Sequence, residues 1–207
     1  MYVNRRDLLM AAIAGIAGFE DRLTIIDNSH DQGLELDDFA GKILRPPAPL
    51  YCSESYNLIL TEAVRRRLDL FFIMHSDALA SPEIIESMVT RAEELNEEGR
   101  KWGVMFSNYD VLALHNTKAL KGMEWDNNLP LYYTDVDFYY RLKLAGIEII
   151  ETGLPVIHQE AGSSVIRSDP GLANFVYSNM SKWQAYYNRK WGGDRDHETF
   201  TVPFDGK

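Results

Sequence analysis

Four side chains able to bind an ion or move a proton follow or end strand-like runs: Asp27, Asp77, Asp135 and His158. Asp77 has the clearest setting. Residues 68–74, Leu-Asp-Leu-Phe-Phe-Ile-Met, are apolar apart from Asp69 and read as a strand buried on both faces. The run stops at His75-Ser76-Asp77, and Ser81-Pro82-Glu83 then opens a helix. A carboxylate there lies at the carboxyl edge of a sheet, which is where open α/β sheets bind ligands. Each residue also has an ordinary reading. Asp27 suits a turn, Asp77 a helix cap, Asp135 a first-turn acid favoured by the helix dipole, and His158 a satisfied buried histidine. Gathered together, they offer oxygen and nitrogen donors, a set that suits Mn²⁺ or Mg²⁺ better than a thiolate-loving ion. Zinc-type spacing, a GxxxxGK[ST] loop, a GxGxxG loop and a GxSxG elbow are all absent. Any phosphate bound here would need a divalent ion to carry much of its charge.

The elements that must position these groups alternate. The pattern predicts helices over residues 5–18, 53–67, 82–98, 134–145 and 169–190. It predicts strands at 23–26, 43–44, 68–74, 102–106, 111–114, 147–150 and 155–158. Such alternation argues for an α/β fold, three layers α/β/α, with a mostly parallel but mixed central sheet. A chain of 207 residues fits a single domain, 1–207, with a sizeable core.

Composition narrows the partners. The formal charge of -10 repels phosphate backbones, so no nucleic-acid partner is expected. Cys52 is the only cysteine, which suits a reducing, cytoplasmic setting. Arg5-Arg6 followed by the small apolar run 8–18 has the look of a twin-arginine export signal, but no small-residue cleavage site precedes Phe19-Glu20-Asp21. The favoured reading is an amphipathic helix of the domain itself. No run reaches the ~18 apolar residues of a membrane span, so no transmembrane segment is expected.

The motifs, in order, resemble those of nucleotide-sugar-dependent glycosyltransferases of the GT-A fold, family 2 type, over nearly the whole chain. Tyr2-Val3-Asn4-Arg5-Arg6-Asp7-Leu8-Leu9 is similar to P-T-Y-N-R-x-x-L at the end of a first strand, so either the sequence starts inside that strand or the sheet loses part of it. Ile25-Ile26-Asp27-Asn28-Ser29 resembles V-V-D-N-G-S, and His75-Ser76-Asp77 stands in the place of D-x-D. Thr134-Asp135-Val136-Asp137 with Arg141 resembles E-D-x-D-x-x-x-R, and His158 with Gly162-Ser163-Ser164 resembles H-x-x-G-x-S. Tyr186-Tyr187 and Lys190-Trp191-Gly192-Gly193 resemble a common ending.

The resemblance implies roles. Asp27 would accept a hydrogen bond from the base of a UDP- or dTDP-type donor, flanked by Tyr2 and Val3. Asn57, His75, Ser76 and Asp77 would contact the donor. Asp77, with His158 as second ligand, would hold Mn²⁺ or Mg²⁺. Asp135 would be the general base toward a carbohydrate acceptor, giving inversion, with Asp137 as fallback and Arg141 as that acid's structural partner. Lys190 would reach phosphate only if the tail folds over the site. His75 and Thr134 replace acids of the family pattern. Two other readings compete: a non-catalytic sugar-nucleotide or carbohydrate-binding relative, and a sugar-nucleotide pyrophosphorylase, whose glycine-rich basic loop is missing.

Overall fold

The computed structural model describes residues 1–161 and 164–205. In chain order the elements are α1 (Arg6–Gly15), β1 (Thr24–Ile26), β2 (Lys42–Leu44), α2 (Cys52–Arg65), β3 (Leu70–Met74), β4 (Ala78–Leu79) and α3 (Pro82–Glu97). There follow β5 (Trp102–Ser107), β6 (Leu112–Asn116), α4 (Thr117–Leu120), α5 (Thr134–Leu144), β7 (Glu148–Glu151), β8 (Ile157–His158), α6 (Ser164–Arg167) and α7 (Pro170–Trp191).

A four-stranded sheet in the order β3-β6-β5-β7 forms the centre. Strand β6 runs against both neighbours, whereas β5 and β7 are parallel. Alternate residues of β3 point to opposite faces. Phe71 and Ile73 join one apolar cluster with Leu60 and Ala63 of α2 and Phe138 and Leu142 of α5. Leu70, Phe72 and Met74 pack on the other, with Ile84, Ile85, Met88, Ala92 and Leu95 of α3. The run expected to be covered on both faces is therefore covered on both, and the helix–sheet–helix layering follows from it.

The mostly parallel sheet is a correction. Three of the described pairings, β3·β6, β5·β6 and β4·β8, are antiparallel, against two parallel ones. Strands β5 and β6 are joined by only residues 108–111, too short for a parallel crossover, so the chain must reverse. The residues just after Asp77 hold a feature that the sequence pattern does not show. They enter β4, a two-residue strand, before helix α3 begins at Pro82.

The remaining elements frame this centre. Tyr2 bridges Asp27 in parallel, with the Tyr2 amide donating to the Ile26 carbonyl at 2.8 Å. Helix α1 buries Leu8, Leu9, Ala12 and Ile13, as an amphipathic helix of the domain should. Its last residue, Gly15, passes so close to β4 that an added Cβ would lie 2.7 Å from the Ala80 carbonyl oxygen. Among the described residues no helix is long and apolar enough to cross a membrane.

Candidate metal and acid site

The site starts at the end of β3. The His75 amide donates to the Val111 carbonyl at 3.0 Å, which anchors the end of β3 against the β5–β6 turn. A tight turn follows, closed by the Ala78 amide on the His75 carbonyl at 3.1 Å, and brings Asp77 back toward His75. Strand β4 then pairs with β8, placing Ala78 directly opposite His158. The Gln159 amide donates to the Asp77 carbonyl at 2.9 Å and fixes that register.

This pairing joins side chains from distant parts of the chain. His158 Nε2 lies 3.2 Å from Asp77 Oδ1, and the Ser164 hydroxyl donates to Asp77 Oδ2 at 2.8 Å. The His75 and His158 rings meet edge to face with centroids 5.3 Å apart. One donor atom from each of His75, Asp77 and His158 falls within 4.8 Å of the others. The protonation states of His75 and Asp77 suit a cation. Burial, reinforced by His158, pushes the His75 imidazole down to about 4, so it is neutral near pH 7 with a lone pair to offer. Burial alone would raise Asp77, but hydrogen bonds from His158 and Ser164 outweigh it and hold the carboxyl below its usual range. The Asp77 hydrogen bond raises His158, so an ion must displace the His158 proton to be ligated there. The residues thus fit a divalent ion: two imidazoles and one ionised carboxylate converging on one point. Because Ser164 bonds the carboxylate and not the imidazole, the group is not arranged as a nucleophilic serine relay.

An acid pair adjoins this group. The turn after β5 holds Asn108 and Tyr109 at φ 50 and 55, left-handed conformations that cost side-chain-bearing residues energy. Asn108 Nδ2 donates to the Val156 carbonyl at 3.0 Å, so the turn is tied to the residues leading into β8. Next in the chain is Asp110. Burial, then the neighbouring Asp135 carboxylate, pushes Asp110 up to about 7, while His158 and Arg195 pull the other way. Asp135 is half-buried in the first turn of α5, after Tyr133 at φ 65. The Tyr109 hydroxyl is raised by burial and by the same Asp135 carboxylate. The Cys52 thiol, at the start of α2, is pushed up to about 12, mainly by burial, with Asp110 and Asp135 adding to it. It is a neutral thiol near pH 7.

Other candidate residues have different neighbours. Asp27 is fully buried, and its oxygens accept from the Ser29 amide and hydroxyl and from the Leu34 amide, at 2.6–3.1 Å. Arg45 Nε lies 3.7 Å from the same carboxylate. These bonds give Asp27 a turn-building role in the 27–34 loop. Tyr2, Ser29, Asp31 and Leu34 line a cavity of about 390 Å³ beside that loop. Val3 and Ser76 are half-buried. The Asn57 amide bonds the Trp125 backbone twice, at 2.7 and 2.9 Å, and Asn127 at 3.0 Å, so it holds the 125–127 loop.

Asp137 is fully enclosed by Arg141 at 2.8 Å, Lys190 at 2.6 Å and the Trp191 indole N–H at 2.8 Å. Arg141 is its structural partner, as expected. Lys190 also bonds Asp126 at 2.7 Å, which leaves it no part in binding phosphate. Gly162 and Ser163 of the histidine–glycine–serine motif lie outside the described residues.

Asp110 is the member that sequence reasoning passed over. It lies three residues beyond a fully buried strand, the same kind of position that singled out Asp77. No protein-family model matches the chain, and a search of curated proteins returns no match.

Proposed function

We propose that the protein is a metal-assisted glycosyltransferase moving a sugar from a UDP- or dTDP-type donor to a carbohydrate hydroxyl, with inversion. The observation that supports this most is the convergence of His75, Asp77 and His158 at the carboxyl edge of the sheet, beside Asp110 and Asp135. Asp77 and His158 would hold Mn²⁺ or Mg²⁺. When bound, that ion supplies positive charge against a diphosphate leaving group. Ser164 keeps the Asp77 carboxylate oriented and ionised.

Asp135 has the exposure and the neighbours a general base needs: half-buried, at a helix start, with a second carboxyl alongside. In this reading it takes the proton from the acceptor hydroxyl. Asp110, its carboxyl raised by burial and by Asp135, carries less negative charge next to a diphosphate than an ordinary carboxylate would. The cavity at Tyr2 and Leu34 is the place for the nucleoside base, with Asp27 shaping the loop behind it.

Titration calorimetry with UDP tests the reading. UDP should bind with Mn²⁺ and weaken at least tenfold with EDTA. Absence of metal-dependent UDP or dTDP binding would reject it. A non-catalytic relative is the second reading, favoured by His75 standing where the family pattern has an acid. It predicts the same UDP binding with no hydrolysis or transfer from any UDP-sugar.

A further inference from the structure

The donor set differs from one built on carboxylates alone, and the difference bears on which ion the site accepts. Mg²⁺ dehydrates reluctantly and takes oxygen ligands in near-ideal octahedra. Imidazole nitrogen favours first-row transition ions. Of the three converging side chains here, two are imidazoles and only one is a carboxylate. The second Asp77 oxygen is already engaged by the Ser164 hydroxyl at 2.8 Å, which limits bidentate chelation.

His75 is not a bystander in this geometry. Its backbone is pinned by the Val111 carbonyl at 3.0 Å, and its ring meets His158 with centroids 5.3 Å apart. Two rings set edge to face at that separation can turn a nitrogen each toward a common point. The pinned backbone means that little conformational freedom is lost when they do.

We propose that His75 is a third ligand, and that the resulting two-imidazole, one-carboxylate centre takes Mn²⁺ or Co²⁺ and discriminates against Mg²⁺. The proposal deepens the transferase reading, on which it rests for the ion's task; the presence and selectivity of the ion can be measured without any nucleotide.

The test uses the full chain, freed of metal by EDTA and dialysis, with Mn²⁺, Co²⁺ and Mg²⁺ as probes in calorimetry and Co²⁺ followed by visible absorption. Wild type should bind Mn²⁺ at least about tenfold more tightly than Mg²⁺, with Co²⁺ bands shaped by nitrogen ligation. His75→Ala should weaken Mn²⁺ and Co²⁺ by about 10–100-fold and shift the Co²⁺ spectrum. His75→Asp should narrow the Mn²⁺/Mg²⁺ ratio by restoring an oxygen donor. Circular dichroism melts establish that both variants fold; should either fail to, the wild-type ratio and spectrum decide alone. Equal wild-type affinities, no binding of any of the three ions, or a folded His75→Ala with unchanged Mn²⁺ affinity would each overturn the proposal. Selective Mn²⁺ binding without UDP binding would reject only the transferase reading, whereas metal-dependent UDP binding that is indifferent to Mg²⁺ would reject only the selectivity.

Discussion

His158 Nε2 lies 3.2 Å from Asp77 Oδ1 although 81 residues separate them in the chain. The contact is set by backbone register, since Ala78 pairs opposite His158 in the two-residue ladder of β4 and β8. Side-chain chemistry then builds on it through Ser164 and His75.

Replacing the shared carboxylate tests the centre directly. Asp77→Ala removes the one anionic donor and leaves two imidazoles. Mn²⁺-dependent UDP binding should fall at least about tenfold in calorimetry, while Ser164→Ala, which removes only the orienting hydroxyl, should have a smaller effect.

Asp135 and the ion have separable tasks. Asp135→Asn should leave UDP affinity within about twofold and reduce transfer by about 10²–10⁴, the usual range for loss of a general base. Donor affinity from calorimetry and turnover of UDP-sugars provide the two readings. Equal loss of both would remove Asp135 from the base role.

Asp110 makes stability depend on pH. Its folded carboxyl is raised to about 7, above the unfolded value of about 3.9. The folded state therefore binds more protons between those values, and its stability falls as pH rises from about 4 to about 7. Asp110→Asn abolishes that cost. The metal-free variant should be more stable than wild type at pH 8, by up to about 4 kcal/mol, and the gap should close near pH 4 in urea unfolding.

Asp137 answers to unfolding rather than to turnover. Its carboxylate, fully buried, pairs with Arg141 and with Lys190, which Asp126 also holds, and accepts from Trp191. Asp137→Ala leaves these groups without their shared partner and should cost about 3–5 kcal/mol in urea unfolding.

Much of the frame could be read from residues in sequence. The apolar run at 70–74 gave β3, proline after serine gave the start of α3, and Asp169-Pro170 begins α7. The Asp169 carboxylate caps that last helix by accepting from the Leu172 amide at 3.0 Å. What escaped has physical reasons. A two-residue strand such as β4 has no periodicity to detect. Asp110 depends on a left-handed turn at Asn108 and Tyr109; Asn108 is a residue that tolerates that conformation, but Tyr109 gives no sign of it. Asp27 is singled out by its place after a strand-like run and Asn57 by a family resemblance, whereas their actual bonds are fixed by loops whose course no local pattern specifies. Asp137 and Lys190 meet across two helices, a contact invisible to spacing along either one.

The reversed strand β6 has one last consequence. Because the chain doubles back between β5 and β6, only a few residues intervene, and loop closure there sacrifices little chain entropy. Asp110 is thus delivered to the ligand edge by a local hairpin, while His158 arrives by a long excursion. Under partial denaturation the hairpin should persist after the distant histidine has come away, so Asp110 should keep its place in the turn when the metal centre has already come apart.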